Sequence, residues 1–145
     1  MTPFDFLLRL DEDRIVEAIR RAEMQTSGEI RVYVSDADVT DAVAAAQRQF
    51  LAMDMTQTRE RNGVLIYVAP RSRKFAVVGD EAVHARCGES FWAEVSAAMQ
   101  REFRNELMTD GIILGIAKCG QLLAEHFPRR ADDANELPDA VMRGS

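Results

Sequence analysis

Gly63-Val64-Leu65-Ile66-Tyr67-Val68-Ala69 is an unbroken apolar run, and its reading decides the fold. A run this short suits a strand buried on both faces of a sheet. Pro70 to Arg73 is polar and turn-like, and Phe75 to Gly79 is a second, β-branched run. A short turn between two strand-like runs predicts an antiparallel hairpin. Upstream, Glu29 to Ser35 alternates, with Ile30, Val32 and Val34 on one side and Glu29, Arg31 and Tyr33 on the other. That is the pattern of a strand with one strongly apolar face. The stretch between these strands reads as a helix, capped by Asp38 or Thr40 and reaching about Thr56, with Val43, Ala46, Phe50 and Met53 inward. A helical link of this length predicts a right-handed parallel crossover.

Further helices flank this core. Leu10 to Thr26 repeats Ile15, Ala18, Ile19 and Ala22 at helical spacing, with Asp11 or Asp13 able to cap its start and Gly28 its stop. Glu89 to Arg104 turns Phe91, Val95, Ala98, Met99 and Phe103 inward, and a helix capped by Thr109 runs to about Phe127, before Pro128. Its Gly111, Gly115 and Gly120 leave one side thin, which predicts close packing against another helix. The fold class is α/β: three strands in a small mixed sheet, a parallel crossover plus an antiparallel hairpin, sandwiched by about four helices. Residues 1–128 form one domain, and 129–145, polar and without a period, a C-terminal tail.

Composition narrows the partners. The 145 residues are 47% hydrophobic and 29% charged, with a net charge of −6. An acidic chain is a poor electrostatic partner for nucleic acid. No run approaches the roughly 18 apolar residues of a membrane helix. Met1 to Leu10 is apolar but is broken by Asp5 and Arg9 and is too short for a signal segment. The chain is therefore expected in the cytoplasm, with no membrane insertion and with Cys87 and Cys119 as free thiols.

Thr26-Ser27-Gly28-Glu29-Ile30-Arg31-Val32 resembles the start of the first strand of TPM domains, the family of thylakoid lumen acid phosphatases and photosystem II repair proteins. Arg61-Asn62-Gly63 through Ala69 is similar to that family's central strand, and Lys74 to Asp80 to its next strand with a Gly-Asp ending. Phe91-Trp92, Phe103 and Asp110-Gly111-Ile112 fall where the family places such residues, and Asn135-Glu136-Leu137-Pro138-Asp139 resembles the close of short stand-alone bacterial members. The resemblance implies an α/β fold. It also implies either phosphatase activity, associated with plant members, or binding of divalent cations such as calcium in an acidic crevice, attributed to some stand-alone relatives.

Hairpin geometry says where chemistry belongs. A turn centred on Arg71 and Ser72 sets Gly63 opposite Asp80 and Asn62 opposite Glu81. The parallel crossover brings Gly28 and Glu29 to the same end of the sheet. Glu29, Arg61, Asn62, Asp80 and Glu81 are thus expected at one rim, joined by Asp110 if its helix packs there. Ca²⁺ and Mg²⁺ take such carboxylate and amide oxygens, so the metal candidates are Asn62, Asp80, Glu81 and Asp110, with Glu29 in reserve. A phosphatase would use Asp80 or Asp110 as nucleophile or metal ligand and Arg61 to steady the phosphoryl oxygens. The bland alternative pairs Arg61 with Asp80 as a structural salt bridge and leaves Asp110 as a helix-start carboxylate.

A rival location, from the crevice rule for parallel strands, is Ser35, Asp36 and Asp38. His84 and Cys87, with Cys119 and His126, would supply zinc ligands only if the fold gathered them. No phosphate loop, G-x-S-x-G elbow or H-E-x-x-H helix is present. Three readings stay open: a domain binding a divalent cation or a protein partner through its acidic rim, a metal-dependent acid phosphatase, and a pure interaction module drawing on the tail Ala131 to Ser145.

Overall fold

In a computed structural model, which describes residues 10–129 and 141–144, every residue of Gly63–Ala69 is buried. This strand, β2, lies inside the sheet. Before it come helix α1 (Glu12–Glu23), strand β1 (Glu29–Ser35) and helix α2 (Ala42–Ala52). A 3-10 turn, Pro70–Ser72, leads into β3 (Lys74–Gly79). Helices α3 (Glu81–Cys87), α4 (Glu89–Arg104) and α5 (Met108–His126) follow, and then strand β4 (Val141–Gly144). The strand order is β3-β2-β1-β4. β1 runs parallel to β2, Glu29 beside Gly63, and β3 runs antiparallel to β2 with Val64 opposite Gly79. Crossover, hairpin and hairpin register all follow the expectation.

Two elements exceed it. The sheet has four strands rather than three, because residues 141–144 of the expected tail pair in parallel with β1, from Val32↔Val141 to Ser35↔Gly144. Four residues without alternation carry no strand signal of their own; the open edge of β1 organises them. Residues 130–140 of that tail, including 135–139, lie outside the described residues, as do 1–9. The helices number five among the described residues, since the seven-residue α3 fits between Asp80 at its start and Gly88 at its end. The cap of α2 is also shifted: Asp41, not Asp38 or Thr40, accepts the Ala44 N–H at 3.0 Å.

Two apolar layers enclose the sheet. On one face α1, α4 and α5 cover Ile30, Val32, Val34, Val64, Ile66, Val68 and Val77. On the other, α2 brings Ala45, Ala46 and Phe50 against Tyr33, Leu65, Tyr67, Ala76 and Val78. Each large aliphatic side chain buried this way stabilises the fold by roughly 1.5–3 kcal/mol. Because both faces are covered, β1 is buried along its whole length, including its polar side. α5 runs antiparallel to β2: Gly115 lies near Ile66, and Leu123 lies near Gly28 at the strands' amino end. Its glycines are contact points, Gly111 against Phe103, Gly115 against Met99 and Gly120 against Ala22.

Tyr33 stacks on Tyr67 with ring centroids 5.8 Å apart. Burial, then the neighbouring Tyr67 and Asp36, push the Tyr33 hydroxyl above its ordinary value. The native state therefore keeps a proton that the unfolded chain releases near pH 10, about the free tyrosine value. This contribution is fully present below that pH and is lost as pH rises toward the native value. Unfolding midpoints measured from about pH 9 to 11 are expected to fall more steeply in the native chain than in Tyr33→Phe.

Candidate functional site

The amino ends of β1 and β2 gather polar side chains from four stretches of chain. Asp80 follows β3, donates its N–H to Gly63 O at 2.9 Å, and caps α3 by accepting the Glu81 N–H at 2.8 Å. Arg61 grips the same carboxylate bidentately, Nε to Oδ2 at 2.7 Å and Nη2 to Oδ1 at 2.8 Å. Its Nη1 stands 3.5 Å from Glu81 Oε1. Asp80 is 5% exposed, Arg61 41% and Glu81 71%. The hydrogen bond that Arg61 donates to Asp80 is the largest cause raising the Arg61 pKa; partial desolvation opposes it, and the Asp80 and Glu81 charges add to it. Arg61 holds a left-handed backbone, φ 53°, while its carbonyl accepts the Ala82 N–H at 3.2 Å.

Beside this clamp Asn62 is buried, and its amide donates to Ser27 Oγ at 3.1 Å and to Glu60 Oε2 at 3.4 Å. Ser27 Oγ donates to the same Glu60 carboxylate. Thr26 Oγ1 donates to Phe127 O and accepts the Gly28 N–H at 3.1 Å, tying the start of β1 to the end of α5. Gly28 permits a close approach, since a Cβ there would stand 2.9 Å from Leu123 Cδ1 and 3.3 Å from Asn62 O.

Below the rim lies a buried ion cluster. Arg31, 2% exposed, reaches Glu23 Oε2 at 2.9 Å and Glu29 Oε2 at 3.2 Å. Its Nη1 also donates to Ile30 O at 2.6 Å, and the Ile30 N–H donates to Glu23 Oε2 at 3.0 Å. Glu23 thus serves the stretch of β1 that precedes the β4 pairing. Glu29, expected as a reserve ligand at the rim, instead turns inward to Arg31. Sequence reading missed the roles of Glu23, Arg31, Ser27 and Glu60. Only Arg31 offered a signal, as a charge in the middle of a strand next to the central one, where burial requires a paired acid.

Asp110 does not join the rim. α5 begins at the carboxyl end of β2, where Asp110 Oδ1 lies 3.0 Å from Arg14 Nη2 and Thr109 Oγ1 accepts the Asp11 N–H at 3.1 Å. The length of β2, about 20 Å for a strand of this size, separates it from Asp80. Asp80, Asp110 and Arg61 therefore form no common constellation. At the rival position Ser35 Oγ accepts the Ala37 N–H at 3.1 Å, the Asp36 N–H donates to Gly144 O at 2.9 Å, and Asp38 accepts from Ser72 Oγ at 2.8 Å. The first closes a turn, the second continues the β1–β4 pairing, and the third ties two loops together. His84 tilts over Trp92, 4.8 Å between ring centroids, and Cys87 and Cys119 are free thiols whose pKa burial raises. Among the described residues no three His, Cys, Asp or Glu side chains gather as ready metal ligands, and no helix is long and apolar enough to cross a membrane.

A family model described as the TPM domain matches residues 3–122. The chain belongs to the TPM family. It is also similar to the BA42 protein of the psychrophilic bacterium Bizionia argentinensis, with 38% identity over 92% of each chain and a TM-score of 0.86. The N-terminal domain of a P. gingivalis protein shares the fold, with 15% identity, 79% of this chain and 75% of that one covered, and a TM-score of 0.56. Comparison with curated proteins returns no match. In this TPM domain the three stretches around Thr26–Val32, Arg61–Ala69 and Lys74–Asp80 meet at the amino-end rim. The Asp110-Gly111-Ile112 stretch lies at the opposite end.

Proposed function

We propose that this TPM domain is a binding module whose amino-end rim takes a hard divalent cation, Ca²⁺ or Mg²⁺, through Asp80, Glu81 and the amide oxygen of Asn62. The observation that carries the reading is the Arg61 guanidinium held between Asp80 and Glu81. A half-exposed positive charge already stands where these oxygens call for one. The donors fit a hard cation in kind. They are not a ready-made chelate, because both Asp80 oxygens bond Arg61. Binding therefore competes with Arg61, and affinity is expected to be weak, about 10⁻⁴–10⁻³ M, the range of low-affinity calcium modules.

The test is a titration of the labelled chain with Ca²⁺ and with Mg²⁺, followed by amide NMR. Saturable shifts at Asn62, Asp80 and Glu81 are expected. Arg61→Ala, which removes the competing charge, is expected to tighten binding, and Asp80→Asn, which keeps a helix-capping oxygen, to abolish it. If Arg61→Ala binds neither ion at millimolar concentration, the clamp is a structural lock and a protein partner becomes the better reading. The acid-phosphatase reading has less support, since Asp80 is engaged by Arg61 and Asp110 pairs with Arg14. Turnover of a phosphomonoester that Asp80→Asn abolishes would reinstate it.

A further inference from the structure

At the end of the sheet opposite Asp80, a cleft of about 420 Å³ opens between β3, α4 and the start of α5. That volume lies within the span of small-molecule sites. Val68, Met108 and the pair Phe75–Phe103, with ring centroids 5.2 Å apart at 81°, supply its apolar wall. Phe75, Phe103 and Met108 are only half-buried, so the wall remains partly open to water.

The rim carries the opposite character. Arg73 and Arg104 are exposed there, against one acid, Glu106. In a chain of net charge −6, two cations to one acid run against the overall balance. Lys74 Nζ donates to Thr40 O at 2.6 Å, on the α2 side of the sheet, so its charge is turned away from the cleft. Among the described residues Arg73 and Arg104 enter no salt bridge. Arg73 and Glu106 both hold left-handed backbone, φ 52° and 59°. Non-glycine residues seldom adopt that region, and such positions recur at ligand clamps.

We propose that this cleft binds a small amphiphilic anion, one carboxylate head on an aryl or alkyl body. Arg73 and Arg104 offer planar forks that match a carboxylate. The Phe75–Phe103 wall takes the body and is dried by it. An inorganic anion would leave the wall wet, and an amphiphilic cation would face the wrong charge.

The experiment uses the intact labelled chain and compares octanoate, inorganic phosphate and octylammonium by amide NMR. Octanoate is expected to shift residues 73–75 and 103–108 saturably, with the two controls at least about tenfold weaker, the worth of one charged hydrogen bond. Arg104→Glu, a change at an exposed position, is expected to weaken octanoate about tenfold while the Asn62 and Asp80 resonances stay in place. Asp80→Asn is expected to leave octanoate binding unchanged, which separates this site from the cation rim. Equal binding of octylammonium or of inorganic phosphate, or an unaltered affinity in Arg104→Glu, overturns the proposal.

Discussion

Arg31→Leu is expected to destabilise the domain by about 3–5 kcal/mol at neutral pH, the cost of removing one partner from a buried ion cluster. Set against a total stability of about 5–15 kcal/mol for a domain, that leaves the variant marginal or unfolded. Leucine fills much of the arginine's volume, so lost packing is the minor term. The larger one is electrostatic: Glu23 and Glu29, both buried, lose the cation they share. Removal of the stranded charges identifies the cause. Adding Glu23→Gln and Glu29→Gln should restore much of the loss at neutral pH. A neutral-pH loss below about 1 kcal/mol, the worth of a surface pair, would show that the cluster does not hold the start of β1.

The consequence reaches the rim. Glu23 bonds the Ile30 N–H, and Gly28 packs under Asn62 two residues before Ile30. Loosening Arg31 thus loosens the floor on which Asn62 and Asp80 stand, and cation binding should weaken together with stability, whereas Glu81→Gln, which alters a proposed ligand at an exposed position, should weaken binding with stability unchanged.

How far the sequence could be read follows from which interactions are local. Gly63 to Ala69 announced a strand because every residue is apolar, and the proline-led turn after it fixed the register that lays Asp80 N–H on Gly63 O. The Arg61–Asp80 pairing was legible by the same arithmetic, as its structural alternative. Arg31 was not, because alternation assigns it to a side without saying whether a helix covers that side; α2 does. Glu29 was misplaced for the same reason. Asp110 was conditional on the direction in which α5 crosses the sheet, and spacing within α5 carries no information about that. β4 and α3 are short elements held by what they pair with or cap, so their own residues gave little sign.

Gly120→Ala is the second large effect, and two terms of opposite sign decide it. Alanine in a helix interior gains about 1 kcal/mol over glycine. At Gly120, however, the added Cβ would stand 2.7 Å from Ala22 Cβ and 3.0 Å from Ala22 Cα. The second of these is backbone, so α1 and α5 must separate rather than a side chain swing aside. Overpacking of this kind costs about 1–3 kcal/mol. Ala22 also precedes Glu23, so moving α1 strains the contact with Arg31, and the steric term wins. The expected net loss is up to about 2 kcal/mol by urea denaturation, larger in Gly120→Val. Gly115→Ala is the control: its Cβ would meet Met99 Sδ at 2.6 Å and Cγ at 2.7 Å, atoms of an unbranched side chain rather than of backbone. It should be nearly neutral. If Gly120→Ala also coupled to Glu23→Gln in a double-mutant cycle by more than about 0.5 kcal/mol, the helix contact and the ion cluster would be one mechanical unit. If Gly115→Ala proved the more damaging of the two, the rigidity assigned to the α1–α5 contact would be wrong.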